Sequence, residues 1–188
     1  MAKLKNIIAL CLLVVLAFGG AASARIVEKD FSSKIDKLHM AIAEDTGLFK
    51  MVRLLVFEDK DGKMHGPVLH FVKTLPQEYR PPERRDLYIE LDIDGTKTKI
   101  LPGVGSNPED KDEIAYHYMK ERYMEDKDMT KKKMNNRPNF YLGPEIAKQL
   151  KNAGSVSVYM NFYGEPLLWN VPADVLSEWK AILKSTGF

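Results

Sequence analysis

The sequence predicts an α+β domain: an antiparallel sheet built from β-hairpins, with two or three helices packed on one face. Two observations carry that class. Three apolar stretches each reverse at a Gly-containing turn into a second apolar stretch, the pattern of hairpins. Two stretches beyond Phe140 place apolar residues at helical spacing behind a proline-led start. No internal repeat or domain-sized linker interrupts residues 25–188, which read as one domain.

The first 24 residues read as a cleaved secretory signal peptide and stay outside the fold argument. Lys3 and Lys5 form its basic start, Ile7 to Phe18 its apolar stretch, and Ala22-Ser23-Ala24 an A-x-A cleavage site. The apolar stretch is shorter than the roughly 20 residues of a membrane span. The expected location is therefore periplasmic or extracellular, with no membrane insertion after cleavage. Cys11, the one cysteine, sits in the leader behind Leu10, where a lipoprotein signal wants a small residue. The mature domain thus has neither a disulfide nor a thiol nucleophile. Of the 28 Lys and Arg, Lys3 and Lys5 leave with the leader, so the remainder matches the 26 Asp and Glu. A neutral domain lacks the basic footprint of a nucleic-acid binder and the charge that draws a protein to an anionic membrane.

Residues 25–45 fit a helix through Ile35, Leu38 and Ile42, or a strand through Leu38, Met40 and Ile42, ending at Thr46-Gly47. Leu48 to Glu58 is apolar on both faces, as a central strand requires. Asp59-Lys60-Asp61-Gly62 turns the chain, and Val68 to Val72 returns it. Aligning Gly62 with the glycine of a calcium loop puts Phe57 and Val68 where carboxylates are needed, so that reading fails.

Pro76 to Arg85 is a polar connection to a second hairpin. Its Asp94-Gly95 turn pairs Ile93 with Thr96, Leu91 with Thr98 and Ile89 with Ile100, and sets Asp92 against Lys97 and Glu90 against Lys99 on the other face. Gly103-Val104-Gly105 begins like a dinucleotide loop, but Pro108 replaces the third glycine, and Glu109, Asp110, Asp112 and Glu113 would repel phosphate. The better reading is a helix capped by Asn107, led by Pro108 and running to about Glu125. On it His117 and Glu121 share a face at a metal-ligand spacing, with no third ligand identifiable. Met119, Met124, Met129 and Met134 recur every five residues, a spacing that cannot line one helical face for copper. No metal or other cofactor is therefore assigned.

Phe140-Tyr141-Leu142 reads as a short strand, followed by a helix from Gly143 with Pro144 first and Gly154 as its C-terminal glycine. A Gly164-Glu165 turn then pairs Phe162 with Leu167, Met160 with Trp169 and Val158 with Val171. The opposite face of this hairpin carries Ser157, Tyr159, Asn161 and Tyr163 beside Pro166, Leu168 and Asn170. Tyr159, Asn161, Tyr163 and Asn170 are the candidate ligand-binding residues, since tyrosines and amides on a flat face stack on and hydrogen-bond a sugar or peptide. The competing reading of that face is an amphipathic surface under a helix or strand. After Pro172, residues 173–184 form the last helix, with Trp179 anchoring it to the sheet.

The mature chain has no G-x-S-x-G elbow and no H-E-x-x-H helix. The leading expectation is a non-catalytic exported envelope or extracellular protein that binds a protein, peptide or glycan. The alternative is a hydrolase or metal-handling protein using His65, His70 or His117 with dispersed carboxylates. His65 and His70, five apart, would occupy opposite faces of a regular strand.

Overall fold

The computed structural model describes residues 23–28, 35–75, 87–103, 134–136, 138–162 and 164–188. The fold is α+β, and its hairpins are shared between two antiparallel sheets. The first runs β1 (Ser23–Glu28), β2 (Ile35–Glu44), β3 (Met51–Asp59) and β4 (Met64–Leu75). Two short strands, β7 (Met134–Asn136) and β8 (Asn139–Tyr141), share the outer edge of β4. The second sheet has the order β10-β9-β5-β6, built from β5 (Leu87–Ile93), β6 (Thr96–Ile100), β9 (Val156–Phe162) and β10 (Glu165–Asn170). Two helices complete the described residues, α1 (Gly143–Asn152) and α2 (Ala173–Ser185).

The ambiguity over residues 35–44 resolves as strand, because β2 pairs along its length with the apolar β3. β3 is central, as its two apolar faces require. Val52, Leu54 and Val56 enter the main core with Ala41, Ala43, Leu69 and Phe71, while Leu55 and Phe57 are buried on the other face with Leu38, Val68 and Val72.

The β3–β4 ladder slips between Leu55 and Phe57: Leu55 faces Val68, yet Phe57 faces His65. Gly66 and Pro67 thus oppose a single residue, a β-bulge. The extra residue turns His65 onto the face that His70 already occupies, which corrects the opposite-face expectation for these histidines. Gly66 has φ +109°, and a Cβ there would meet the Leu55 carbonyl oxygen at 3.1 Å. Gly66→Ala is expected to cost about 1–3 kcal/mol through that backbone alone. A shifted urea midpoint at unchanged slope would report it.

Both predicted hairpin faces are observed, and one predicted register is not. In β5–β6 the pairs Ile93–Thr96, Leu91–Thr98 and Ile89–Ile100 form as expected. In β9–β10 Phe162 pairs with Glu165, Met160 with Leu167 and Val158 with Trp169, two residues from the expected register. Pro166 accounts for the difference. A Gly164-Glu165 turn would make Tyr163–Pro166 the closing hydrogen-bonded pair, which needs the N–H that proline lacks. In the observed register Pro166 opposes Asn161 at a non-hydrogen-bonded position on an edge strand and sacrifices no ladder bond. A slip of two preserves the side-chain faces. Leu167 and Trp169 therefore remain buried beside Val158, Met160 and Phe162.

One core joins both sheets and both helices. A line of edge-on and tilted rings crosses it: Phe140 to Phe71 at 5.8 Å, Phe71 to Phe49 at 5.0 Å, Phe49 to Trp169 at 6.4 Å and Trp169 to Trp179 at 6.0 Å between centroids. Trp179 is fully buried on α2, with Val175, Leu176, Ile182 and Leu183 on the same side.

The second hairpin is also tied to the end of α1. Asp94, at φ +50° in the β5–β6 turn, accepts hydrogen bonds from the backbone N–H of Gly154 and Ser155. Gly154 is therefore not the left-handed helix terminus expected of it: Ala153 ends α1. A Cβ at this position would sit 3.3 Å from the Asp94 carboxylate, a tight approach that glycine relieves. The two N–H groups, Gly154 first, hold the Asp94 carboxyl below its ordinary pKa of 3.8. A depressed folded value means the stabilisation is fully present above the ordinary pKa and is lost as pH falls through the folded one. Asp94→Asn should thus lose less stability between pH 7 and pH 3 than the parent in paired urea titrations. Equal losses would remove Asp94 from the acid response.

Candidate functional site

The pairing of β5 with β9 makes one surface of two hairpins that lie 60 residues apart in sequence, as the Asp94–Gly154 contact shows. Alternation sends Leu87, Ile89, Leu91 and Ile93 inward with Val156, Val158, Met160 and Phe162. The intervening side chains form the outer face. Its rows follow from the registers: Asn170, Ser157, Asp92 and Lys97; then Leu168, Tyr159, Glu90 and Lys99; then Pro166, Asn161 and Tyr88.

Of the predicted binding residues, Tyr159, Asn161 and Asn170 stand on this face, and Tyr163 lies outside the described residues. Two of the three are engaged with other residues of the face, and the third with the turn. The Asn161 side-chain oxygen accepts the Gly164 N–H at 3.0 Å and so holds the hairpin turn. The Asn170 side-chain oxygen accepts the Ser157 hydroxyl at 2.9 Å across the ladder. Tyr159 packs against Tyr88 with centroids 6.2 Å apart. Desolvation first, then the neighbouring Tyr88 hydroxyl, raises the Tyr159 phenol above its ordinary pKa of 10.0, so it stays a neutral donor at physiological pH.

Sequence reasoning missed Tyr88 and Lys99 as members of this surface. Lys99 places its ammonium 3.8 Å from the centroid of the Tyr88 ring, and Lys97 pairs with Glu90 at 3.3 Å. Both lysines therefore reach diagonally, one step beyond the direct cross-strand partner expected for them, which the twist of the ladder permits. Leu168 is 60% exposed and Leu101 is 51% exposed, the two large apolar side chains left in solvent among the described residues. The alternation Tyr88, Glu90, Asp92 marked Tyr88 as outward-facing. Its neighbour Tyr159 is supplied by tertiary pairing, for which the sequence carries no local signal.

The histidines form separate arrangements. His39 and Glu58 meet at 2.9 Å between Nε2 and Oε2, and Lys37 reaches the other Glu58 oxygen at 3.1 Å. The His39 hydrogen bond first, then Lys37, holds the Glu58 carboxyl below its ordinary pKa. His39 Nδ1 is buried without a hydrogen-bond partner among the described residues, so the ring offers no free nitrogen to solvent. On the opposite face His65 Nε2 meets Asp59 at 2.9 Å and holds that carboxyl low. The other Asp59 oxygen accepts the N–H groups of Asp61 and Lys63, which closes the turn.

His70, buried, bonds the side-chain oxygen of Asn139. His65 and His70 share a face, but their partners Phe57 and Arg53 are four residues apart on β3, on the order of 13 Å of strand. No group of three or more His, Cys, Asp or Glu able to hold a metal occurs among the described residues. His117, Glu121, Met119, Met124 and Met129 lie outside them, and Met134 belongs to β7. Gly103 donates its N–H to the Asn139 carbonyl oxygen at 2.8 Å, while Gly105 and Pro108 lie outside the described residues. No helix among the described residues is long and apolar enough to cross a membrane.

Comparison with protein families, with curated proteins and with solved structures gives no match for this chain.

Proposed function

We propose that this chain is an exported, non-catalytic binding protein that acts in the periplasm or outside the cell and recognises another protein through the outer face of its second sheet. The observation that carries the reading is Leu168, 60% exposed on the edge strand β10 and directly across the ladder from Tyr159 on the outer face of the four-stranded sheet. An exposed leucine against a tyrosine pair supplies the apolar, aromatic centre of a protein contact, and the surrounding Glu90, Lys97 and Lys99 supply its polar rim. A protein or peptide fits better than a glycan. Lys99 occupies one face of the Tyr88 ring, where a sugar would stack, and the side-chain oxygens of Asn161 and Asn170 are already used within the sheet.

The test places a photo-crosslinking amino acid at position 168 of the exported chain in its own cells, with position 174 on α2 as control. A discrete adduct from 168, absent from 174 and lost with Tyr159→Ser, is the expected result. Labelling at 168 no stronger than at 174 overturns the reading. Leu168→Asp should also abolish partner capture while leaving stability within about 0.5 kcal/mol, since the side chain is solvated.

A further inference from the structure

One sheet edge is equipped to accept another strand. In the first sheet, β7 and β8 pair along the outer edge of β4, and α2 packs against β1. In the second sheet, β10 turns the backbone groups of Leu168 and Asn170 outward, but Pro166 beside them offers no donor, so its outward row is interrupted. β6 differs. The two-residue turn makes Ile93–Thr96 the hydrogen-bonded closing pair, so Thr98 and Ile100 also bond back to β5. Lys97 and Lys99 then aim both N–H and C=O outward, and these groups have no hydrogen-bond partner among the described residues. The Lys97 side chain, on the outer face beside this edge, is 64% exposed.

We propose that β6 is a docking edge for an extended, acidic segment of a partner protein, which adds as a fifth strand to the second sheet. This rests on the binding reading above and specifies its partner. Charge selects the occupant. The outer face is acidic on β5, through Glu90 and Asp92, and basic on β6, through Lys97 and Lys99. Opposite charges directly across a ladder stabilise it and like charges destabilise it, so the next column favours carboxylates. A second copy pairing β6 with β6 would bring lysine against lysine, the device by which edge strands resist self-association. Leu101, just beyond the end of β6 and two residues from Lys99, is 51% exposed and adds an apolar contact. In antiparallel addition the segment therefore reads apolar-x-acidic-x-acidic from its N-terminus, with main-chain bonds giving affinity and alternate side chains giving choice.

The probe is a capped, fluorescein-labelled heptapeptide, Thr-Leu-Thr-Glu-Val-Glu-Thr, titrated into the full-length mature chain by fluorescence anisotropy. Two control peptides replace both glutamates by lysine or methylate both glutamate backbone nitrogens. The acidic peptide should bind at least tenfold more tightly than either control, and the double variant Lys97→Glu, Lys99→Glu should reverse the preference to the lysine peptide. Hydrogen exchange at the Lys97 and Lys99 amides should slow when the acidic peptide is bound. Equal binding of the N-methylated peptide overturns strand addition, because charge alone would then hold the peptide. Acidic and lysine peptides of equal affinity overturn it as well. Either result with the position-168 adduct intact confines the failure to the β6 edge; loss of that adduct too takes the binding reading with it.

Discussion

Trp179→Ala is expected to lower the unfolding free energy by about 3–5 kcal/mol, the cost of emptying a fully buried aromatic site. The residue is the apolar anchor of α2, edge-on to Trp169 at 6.0 Å and surrounded by a core shared with both sheets. Nothing polar compensates the loss, because the indole N–H has no hydrogen-bond partner among the described residues. Truncation therefore removes contacts without freeing a partner to find new ones. Urea titration at neutral pH measures the effect, with the slope showing whether the unfolded state has changed. For a domain of this size the same loss lowers the melting temperature by about 10 °C. A midpoint equal to the parent's would mean that α2 does not dock through this ring.

Phe71→Ala should cost a similar amount, about 3–5 kcal/mol, for a different reason. Phe71 is the inner-face ring of β4 that touches Phe49 at 5.0 Å and Phe140 at 5.8 Å, so it couples the Thr46–Phe49 turn, β4 and β8. Its loss separates Phe140 from the rest of the line of rings. Phe71→Leu keeps most of the buried volume and should recover more than half of the stability. A leucine variant as unstable as the alanine one would show that ring geometry, more than volume, holds the site.

Local signals were sufficient wherever the determining contact was local. Asp94-Gly95 set the β5–β6 register because a two-residue turn admits one pairing, and the alternation of β10 put Trp169 in the core with either two-residue turn. The two-residue error at β9–β10 came from weighing Gly164 without testing where Pro166 would need a donor. The same physics, applied to proline, selects the observed register. The Gly66 bulge was harder to read. A period-two argument separates His65 from His70, and only the slip in the β3–β4 ladder returns them to one face. Gly154 looked like a helix terminus for want of knowing that Asp94 approaches it from another hairpin.

The sequence by itself determined the α+β class, the inward faces of two hairpins, the central place of β3, the helices α1 and α2, and the outward position of Tyr159, Asn161 and Asn170. Each follows from a period, a turn or a cap written within a few residues. Only the tertiary structure decided that the hairpins divide between two sheets and that β5 lies against β9. The same pairing brings Tyr88 to Tyr159 and leaves β6 at the edge of the sheet among the described residues. The reason is that strand pairing between distant hairpins is chosen by burial of the whole core. An alternating strand records which face it buries, but not which neighbour it will lie beside.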